Sequence, residues 1–108
     1  MAFRHEKVCS LLQNLSASFI SREFIGKPGI LISVTKIEIS KDFKKSTVFV
    51  SIFPEEKEKE ILKSLKRRLS DLRDYVKSNA KMKFLPFFEI KTDQGEKRRQ
   101  KIEELLKK

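Results

Sequence analysis

Several basic residues recur at a spacing suited to binding a row of phosphates. These residues are Lys63, Lys66, Arg73 and Lys77. They follow one another at steps of three, seven and four residues. On an ideal helix of 3.6 residues per turn they therefore project within about 80° of one another. Ser70 falls in the same stripe and adds almost no bulk. Lys and Arg in such a row neutralise the phosphates of a nucleic-acid backbone. The spacing therefore predicts a phosphate-binding helix face.

The segment around this stripe holds much of the chain's excess charge. Residues 63–83 carry eight basic and two acidic residues, which is six of the ten excess charges in a chain with 25 Lys and Arg against 15 Asp and Glu. Arg67, Lys81 and Lys83 extend the stripe. Because so large an excess repels itself in the folded state, its usual counterpart is a polyanion, above all nucleic acid. The alternative is a solvated helix face, whose binding would depend little on salt.

A second basic site lies in the turn of a predicted β-hairpin. The turn carries three lysines, Lys41, Lys44 and Lys45, while Ser40 and Asp42 supply the side-chain oxygens that hold a turn. The lysines can touch a ridge of phosphates. They can also protect an exposed hairpin from aggregation, and the two roles are compatible.

Residues for catalysis, metal binding or membrane insertion are scarce. His5 and Cys9 lie one helical turn apart, but two ligands without further His or Cys make a poor zinc site. Phosphate-loop and dinucleotide fingerprints are absent, and a lone Cys cannot form an internal disulfide. No apolar run is long enough to span a bilayer or act as a signal sequence. We expect no catalytic residue, metal, cofactor, small-molecule substrate or membrane contact, and a cytoplasmic location.

The first half of the 108-residue chain reads as a helix followed by a hairpin. Apolar residues at three- and four-residue steps predict a helix over 3–20, and Gly26-Lys27-Pro28-Gly29 then turns the chain. The apolar parity of the next strand flips near Thr35 and Lys36, which indicates a bulge or a two-sided strand. In the following strand Phe49 and Phe53 face away from Val48, Val50 and Ile52, so both faces are expected to meet something apolar.

The second half reads as a long helix, a strand and a short helix. Pro54 with two following acids starts the long helix, and its apolar residues fall within an arc of about 100° from Ile61 to Val76. A strand from Phe84 to Lys91 places Phe88 and Ile90 on one face. A terminal helix over 96–108 has few apolar contacts. We therefore expect one domain, 1–108, with 92–108 as a weakly docked tail.

This order of elements is that of a type II KH-like fold, α-β-β-α-β with a short C-terminal helix: an α+β protein whose helices pack on one face of a three-stranded sheet. The hairpin IEISKDFKKSTVFVS, residues 37–51, closely resembles the signature of the ribosome-binding factor A family, in its Ser-ended strand, its Asp-hydrophobic turn and its Val-x-Val-Ser strand. The resemblance extends over nearly the whole chain, through Arg4, Val8, Leu72-Arg73, Lys83-Phe84-Leu85-Pro86 and Ile102-Glu103-Glu104-Leu105-Leu106.

Two positions depart from the family pattern. KH domains clamp nucleic acid with a GxxG loop between two helices, and the string at residues 26–29 stands between a helix and a strand, where a plain turn is the better interpretation. The family replaces that clamp with an Ala-x-Gly kink in the long helix, and the matching residues are Arg68-Leu69-Ser70, with Ser70 at the Gly position. Ser46 stands where the family tends to have Ala.

The resemblance implies a non-enzymatic bacterial assembly factor that binds the small (30S) ribosomal subunit and its 16S rRNA during late maturation and rRNA processing. We expect it to be a monomer and to contact phosphates through the helix stripe, with the hairpin lysines secondary. Two alternatives stay open. One is a general single-stranded RNA- or DNA-binding module that stacks bases on Phe49 and Phe53; the other is a protein-interaction module whose basic face docks an acidic partner.

Overall fold

The chain alternates helices with three strands. The computed structural model describes residues 2–24, 29–80, 82 and 85–106. Within these ranges the elements are α1 (Ala2–Glu23), β1 (Leu31–Ile39), β2 (Lys45–Phe53), a 3-10 turn (Glu55–Lys57), α2 (Glu58–Arg67), α3 (Leu69–Asn79), β3 (Phe87–Thr92) and α4 (Gln94–Leu106). The predicted α+β architecture is confirmed. Residues 26–28 of the turn predicted over 26–29, and the start of the third strand at Phe84, lie outside the described ranges.

The sheet is mixed and has the order β1-β2-β3. β1 pairs with β2 antiparallel, which confirms the predicted hairpin. β2 pairs with β3 in parallel, from Lys45 opposite Phe87 to Val50 opposite Thr92. Parallel neighbours cannot be joined by a tight turn. The connection from β2 to β3 runs through α2 and α3, which pack on the core face of the sheet.

A β-bulge at Thr35 explains the change of apolar parity along β1. Val34 pairs with Val50 and Lys36 pairs with Phe49, so Thr35 is an extra residue in the ladder. A bulge shifts the alternation of side chains by one position. Ile37, beyond the bulge, therefore returns to the core face of the sheet.

The core lies between one face of the sheet and the first three helices. α1 contributes Leu12, Phe19 and Ile20, whereas Leu11 is 40% exposed. The hairpin, the crossover helices and β3 supply the rest, which are Ile37, Ile39, Val48, Val50, Ile52, Ile61, Leu65, Leu72, Val76, Ala80, Phe88 and Ile90. The predicted helices on one face of the sheet are thus confirmed.

The opposite face of the sheet is not an apolar interface, and the expectation that both faces meet something apolar was wrong. Phe53 is 64% exposed and Phe87 is 68% exposed. Phe49 is half-buried, with the Lys36 ammonium 4.7 Å from its ring centroid. The reason is that α1, α2 and α3 all pack on the core face. On the outer face, Phe49 is covered by the side chain of Lys36 and not by another element.

The long helix predicted after Pro54, with apolar residues from Ile61 to Val76, is interrupted at Arg68, the first of the three residues that match the family's kink. Arg68 has φ −98° and ψ 9°, and its N–H donates to Leu65 O instead of continuing an α-helical turn. Its own carbonyl accepts from Leu72 N at 2.9 Å, so α3 begins at once. Arg and Leu are good helix formers. Tertiary contacts, described below, accompany a break that local propensity does not predict.

α4 follows β3 directly and exposes its apolar residues. Ile102 is 57% exposed and Leu105 is 68% exposed. The weak docking of 92–108 and the single-domain assignment stay predictions. No helix in the described ranges is long and apolar enough to cross a membrane.

Candidate nucleic-acid interface

The break at Arg68 divides the basic stripe into two halves, one on α2 and one on α3. On each helix the stripe residues occupy fixed positions relative to the buried residues Leu65, Leu72 and Val76. Some stripe residues directly follow a buried residue in the sequence, and others come two positions before one. At 3.6 residues per turn these positions lie about 100° and 160° around the helix from the core. The first kind are Lys66, Arg73 and Lys77, and the second kind are Lys63 and Ser70. The two halves therefore emerge on the same flank of the buried row, one before and one after Arg68.

The stripe residues present unpaired charge to solvent. All are exposed, as is Arg67. In the part of the chain that the structure describes, none of their ammonium or guanidinium groups forms an ion pair. Other basic residues do, among them Lys36, Lys45, Lys57, Arg68 and Lys91. Charges without an internal partner are the ones free to neutralise a phosphate. The stripe therefore gathers on one helix flank several cations that have no such partner among the described residues.

The first turn of α3 lies within the stripe. Arg68 occupies the N-cap position and makes no side-chain capping hydrogen bond, and Asp71 sits in the first turn. Asp71 balances the positive end of the helix dipole. Ser70 stands beside it with a small exposed side chain, so no bulky group separates Lys66 from Arg73 along the surface.

The hairpin turn is built as the sequence indicated. The Ser40 hydroxyl donates to Asp42 Oδ1 at 2.6 Å, and Lys44 N donates to the same oxygen at 3.0 Å. These bonds hold the pKa of Asp42 below its ordinary value, the Ser40 hydroxyl contributing most. Phe43 takes φ +60°, which an L-residue adopts at a cost, and its side chain packs against the core. Core packing of Phe43 thus accounts for a turn without Gly.

The three hairpin lysines do not share one environment. Lys41 and Lys44 are exposed and form no ion pair with any described residue. Lys45 binds Glu89 of β3, with 2.9 Å between Nζ and Oε2. The close Lys45 ammonium is the main reason that the pKa of Glu89 lies below its ordinary value. Lys45 is therefore already engaged across the sheet, and the remaining hairpin charge lies on Lys41 and Lys44.

Sequence reasoning missed the contacts that lie around the interruption. Arg68 Nη1 lies 2.6 Å from Glu23 Oε2, at the last residue of α1. Tyr75 of α3 packs edge-on against Phe19 at a centroid distance of 5.7 Å, and Arg22 lies over the same ring. The partners in each contact stand on different helices, far apart along the chain, so no local pattern marked them.

Some predicted residues cannot be placed. Lys81 and Lys83 lie outside the described residues, so their part in the stripe stays a prediction.

Gly29, at the end of the GxxG string, has φ +79°, which suits Gly. The described residues contain no group of three or more His, Cys, Asp or Glu that could hold a metal ion.

Comparison with known proteins places this geometry in a family. The chain matches the family model "Ribosome-binding factor A" over residues 4–106. Ribosome-binding factor A of Halothermothrix orenii is 33% identical over 107 residues, covering 97% of this chain and 87% of the relative. The predicted family resemblance is therefore confirmed.

Solved structures agree. The crystal structure of ribosome-binding factor A from Thermus thermophilus has a TM-score of 0.69 at 25% identity and covers 82% of this chain and 93% of that one. A homology model of the T. thermophilus factor, fitted into a cryo-electron-microscopy map of a 30S complex of that factor, shares the fold, with a TM-score of 0.64, 24% identity, and coverage of 80% and 91%. Since the family model spans residues 4–106 and a relative is 33% identical over almost the whole chain, the chain belongs to the ribosome-binding factor A family.

Proposed function

We propose that this protein is a non-catalytic, cytoplasmic assembly factor that binds the small ribosomal subunit and its 16S rRNA during late maturation and rRNA processing. Family membership supports the class of function. A homology model of the related T. thermophilus factor has been fitted into a map of its 30S complex, which supports the same partner here. The RNA contact is made by the helix stripe, with Lys41 and Lys44 of the hairpin turn as a secondary site.

One observation carries the proposal: exposed cations without internal partners are gathered on one flank of α2 and α3. Elsewhere on the described surface many cations are neutralised by neighbouring carboxylates, as Lys45 is by Glu89. Row-like, unpaired charge is what a phosphate backbone requires. Lys63 and Lys66 on α2 and Arg73 and Lys77 on α3 form that row.

The test reverses the charge of one residue on each helix. Lys66→Glu with Arg73→Glu should weaken binding to purified small subunits by more than about tenfold, because each lost phosphate contact forfeits counterion release. Binding is measured by co-sedimentation over a salt series. Both side chains are exposed, so the thermal unfolding midpoint should stay close to that of the parent protein.

The matched control makes the same change in net charge on the outer face of the sheet. Lys36→Glu with Lys91→Glu alters two exposed lysines on either side of Phe49. This variant should pellet with small subunits as the parent does. If the two double variants lose binding equally, net charge and not the stripe determines affinity, and the proposed interface is wrong.

A general single-stranded nucleic-acid binder is the second candidate, since Phe53 and Phe87 are exposed on the outer face of the sheet. Base stacking on aromatic rings tolerates any sequence. An excess of unrelated RNA would then displace the protein from small subunits, and Phe53→Ala would weaken binding to that RNA. A protein-interaction module would instead keep its partner after nuclease treatment.

A further inference from the structure

The last residue of α1 contacts the break between α2 and α3. Arg68 is the one residue between the two helices, and its guanidinium Nη1 lies 2.6 Å from Glu23 Oε2. The next carboxylate, Asp71 Oδ2, is 3.8 Å from the same nitrogen. Glu23 is therefore the close partner. It joins the end of one helix to the point where two others meet.

The same end of α1 also holds the body of α3. Phe19 meets Tyr75 edge to face, and the Arg22 guanidinium carbon is 5.5 Å from the centroid of that ring. α3 is thus fixed to α1 at Tyr75. The contact between Glu23 and Arg68 adds a second point, at the hinge itself. Buried Leu72 and Val76 seat α3 on the core, and the contact at Arg68 holds the end of α3 that adjoins α2.

The direction of α3 matters because the stripe is divided between the helices. Lys63 and Lys66 stand on α2, and Ser70, Arg73 and Lys77 stand on α3. A row of phosphates has fixed spacing, so the two halves bind together only at one angle between the helices. A change in φ and ψ at Arg68 alone would alter that angle.

We propose that Glu23 is a positioning residue for the RNA interface: through Arg68 it fixes the angle between α2 and α3 at which both halves of the basic stripe meet one RNA surface. This inference rests on the proposed function. Glu23 itself need not touch RNA. Its carboxylate acts by holding Arg68, and the side chain of Arg68 is thereby withdrawn from the set of free cations.

The proposal predicts an effect of opposite sign to simple electrostatics. Glu23→Gln removes a negative charge from a protein that binds a polyanion, so charge alone would strengthen binding. Positioning predicts the reverse, a loss of about three- to fivefold in affinity for purified small subunits, the range expected for a partly exposed ion pair. The matched control, Glu38→Gln, removes a carboxylate that pairs with Lys36 at 3.4 Å on the outer sheet face, and should not weaken binding.

A charge swap supplies the rescue. Glu23→Arg with Arg68→Glu keeps the net charge and restores an ion pair between the same positions, so affinity should return close to that of the parent. In Arg68→Glu alone, the new carboxylate would lie beside those of Glu23 and Asp71. This variant should have the lowest affinity of the set. Failure of the swap to recover any affinity would overturn the proposal, as would binding of Glu23→Gln that equals or exceeds that of the parent.

The angle itself can be measured in the free protein, independently of RNA binding. Residual dipolar couplings of backbone N–H groups report the relative direction of α2 and α3. The angle should change in Glu23→Gln and stay unchanged in Glu38→Gln. An unaltered angle in Glu23→Gln would overturn the positioning role even if binding weakened. The charge reversal of Lys66 and Arg73 could leave binding to small subunits intact while Glu23→Gln changes the angle between the helices. In that case the proposed function is wrong, but the role of Glu23 in setting the angle is confirmed.

Discussion

The Thr35 hydroxyl donates a hydrogen bond to the Asp93 carboxylate, with 2.6 Å between Oγ1 and Oδ2. Thr35 is the bulged residue of β1 and Asp93 immediately precedes α4, so the bond crosses β2 and ties both edges of the sheet together. The backbone N–H of Asp93 also donates to Val50 O. The start of α4 is therefore anchored to the sheet, although the apolar residues farther along α4 are exposed.

Loss of the Thr35 hydroxyl should destabilise the protein. Thr35→Val keeps the shape of the side chain but removes the donor to Asp93, and a hydrogen bond to a charged group contributes about 1.5–3 kcal/mol. Because the site is only partly buried, we expect the free energy of unfolding in urea to fall by about 1–2 kcal/mol. Thr35→Ser, which keeps the hydroxyl, should lose less. Equal stability of Thr35→Val and the parent would contradict a stabilising role for this bond.

Each stripe lysine should contribute to the salt dependence of RNA binding. Lys63→Ala removes one phosphate contact, and the slope of log affinity against log salt should become shallower by about 0.7–0.9. The measurement is a titration of small subunits at several salt concentrations. Lys36→Ala, which removes a lysine from the outer sheet face, should leave the slope as it is. A slope unchanged in Lys63→Ala would remove that residue from the interface.

Core packing under α3 should determine stability more than any surface contact. Leu72 is 1% exposed, and truncating a buried leucine leaves a cavity that costs about 2–5 kcal/mol. Leu72→Ala should lower the free energy of unfolding by an amount in that range. Leu105→Ala, at a position 68% exposed on α4, should change it by less than about 0.5 kcal/mol. A similar loss in both variants would show that α4 docks on the domain in solution.

The hairpin turn should weaken in acid. The pKa of Asp42 is lowered in the folded protein, chiefly by the hydrogen bond from Ser40, so its carboxylate form favours folding. This contribution is complete above the unfolded pKa, about 3.9, and is lost as the pH falls through the folded value. Asp42→Asn should therefore be less stable than the parent by a constant amount from about pH 5 to about pH 7, and the gap should close below about pH 4.

Thermal or urea unfolding across this pH range measures that gap. In a Ser40→Ala background, which lacks the main donor to Asp42, the gap should be smaller at neutral pH. A gap that widens toward low pH would mean that the carboxylate opposes folding, contrary to the hydrogen bonds seen in the turn.

Features encoded within a few residues could be read from the sequence alone. The change of parity near Thr35 predicted a bulge or a two-sided strand, because side chains alternate along a strand and an extra residue must shift them; the structure has the bulge. Ser40 and Asp42 predicted a turn held by side-chain oxygens. The stripe positions on α2 and α3 followed from their spacing to the buried residues beside them, which is why a break at Arg68 did not scatter them.

Contacts between distant parts of the chain were decided only by the tertiary structure. The sequence did not predict that β3 would lie parallel to β2, that Glu89 would form an ion pair with Lys45, or that Phe53 would be exposed. Nor did it show that α1 would end beside Arg68. Hydrophobic periodicity records which side of an element is buried, but not which element covers it. Ion pairing depends on which side chains meet after folding, so the division between free and engaged cations, on which the candidate interface rests, is a property of the fold.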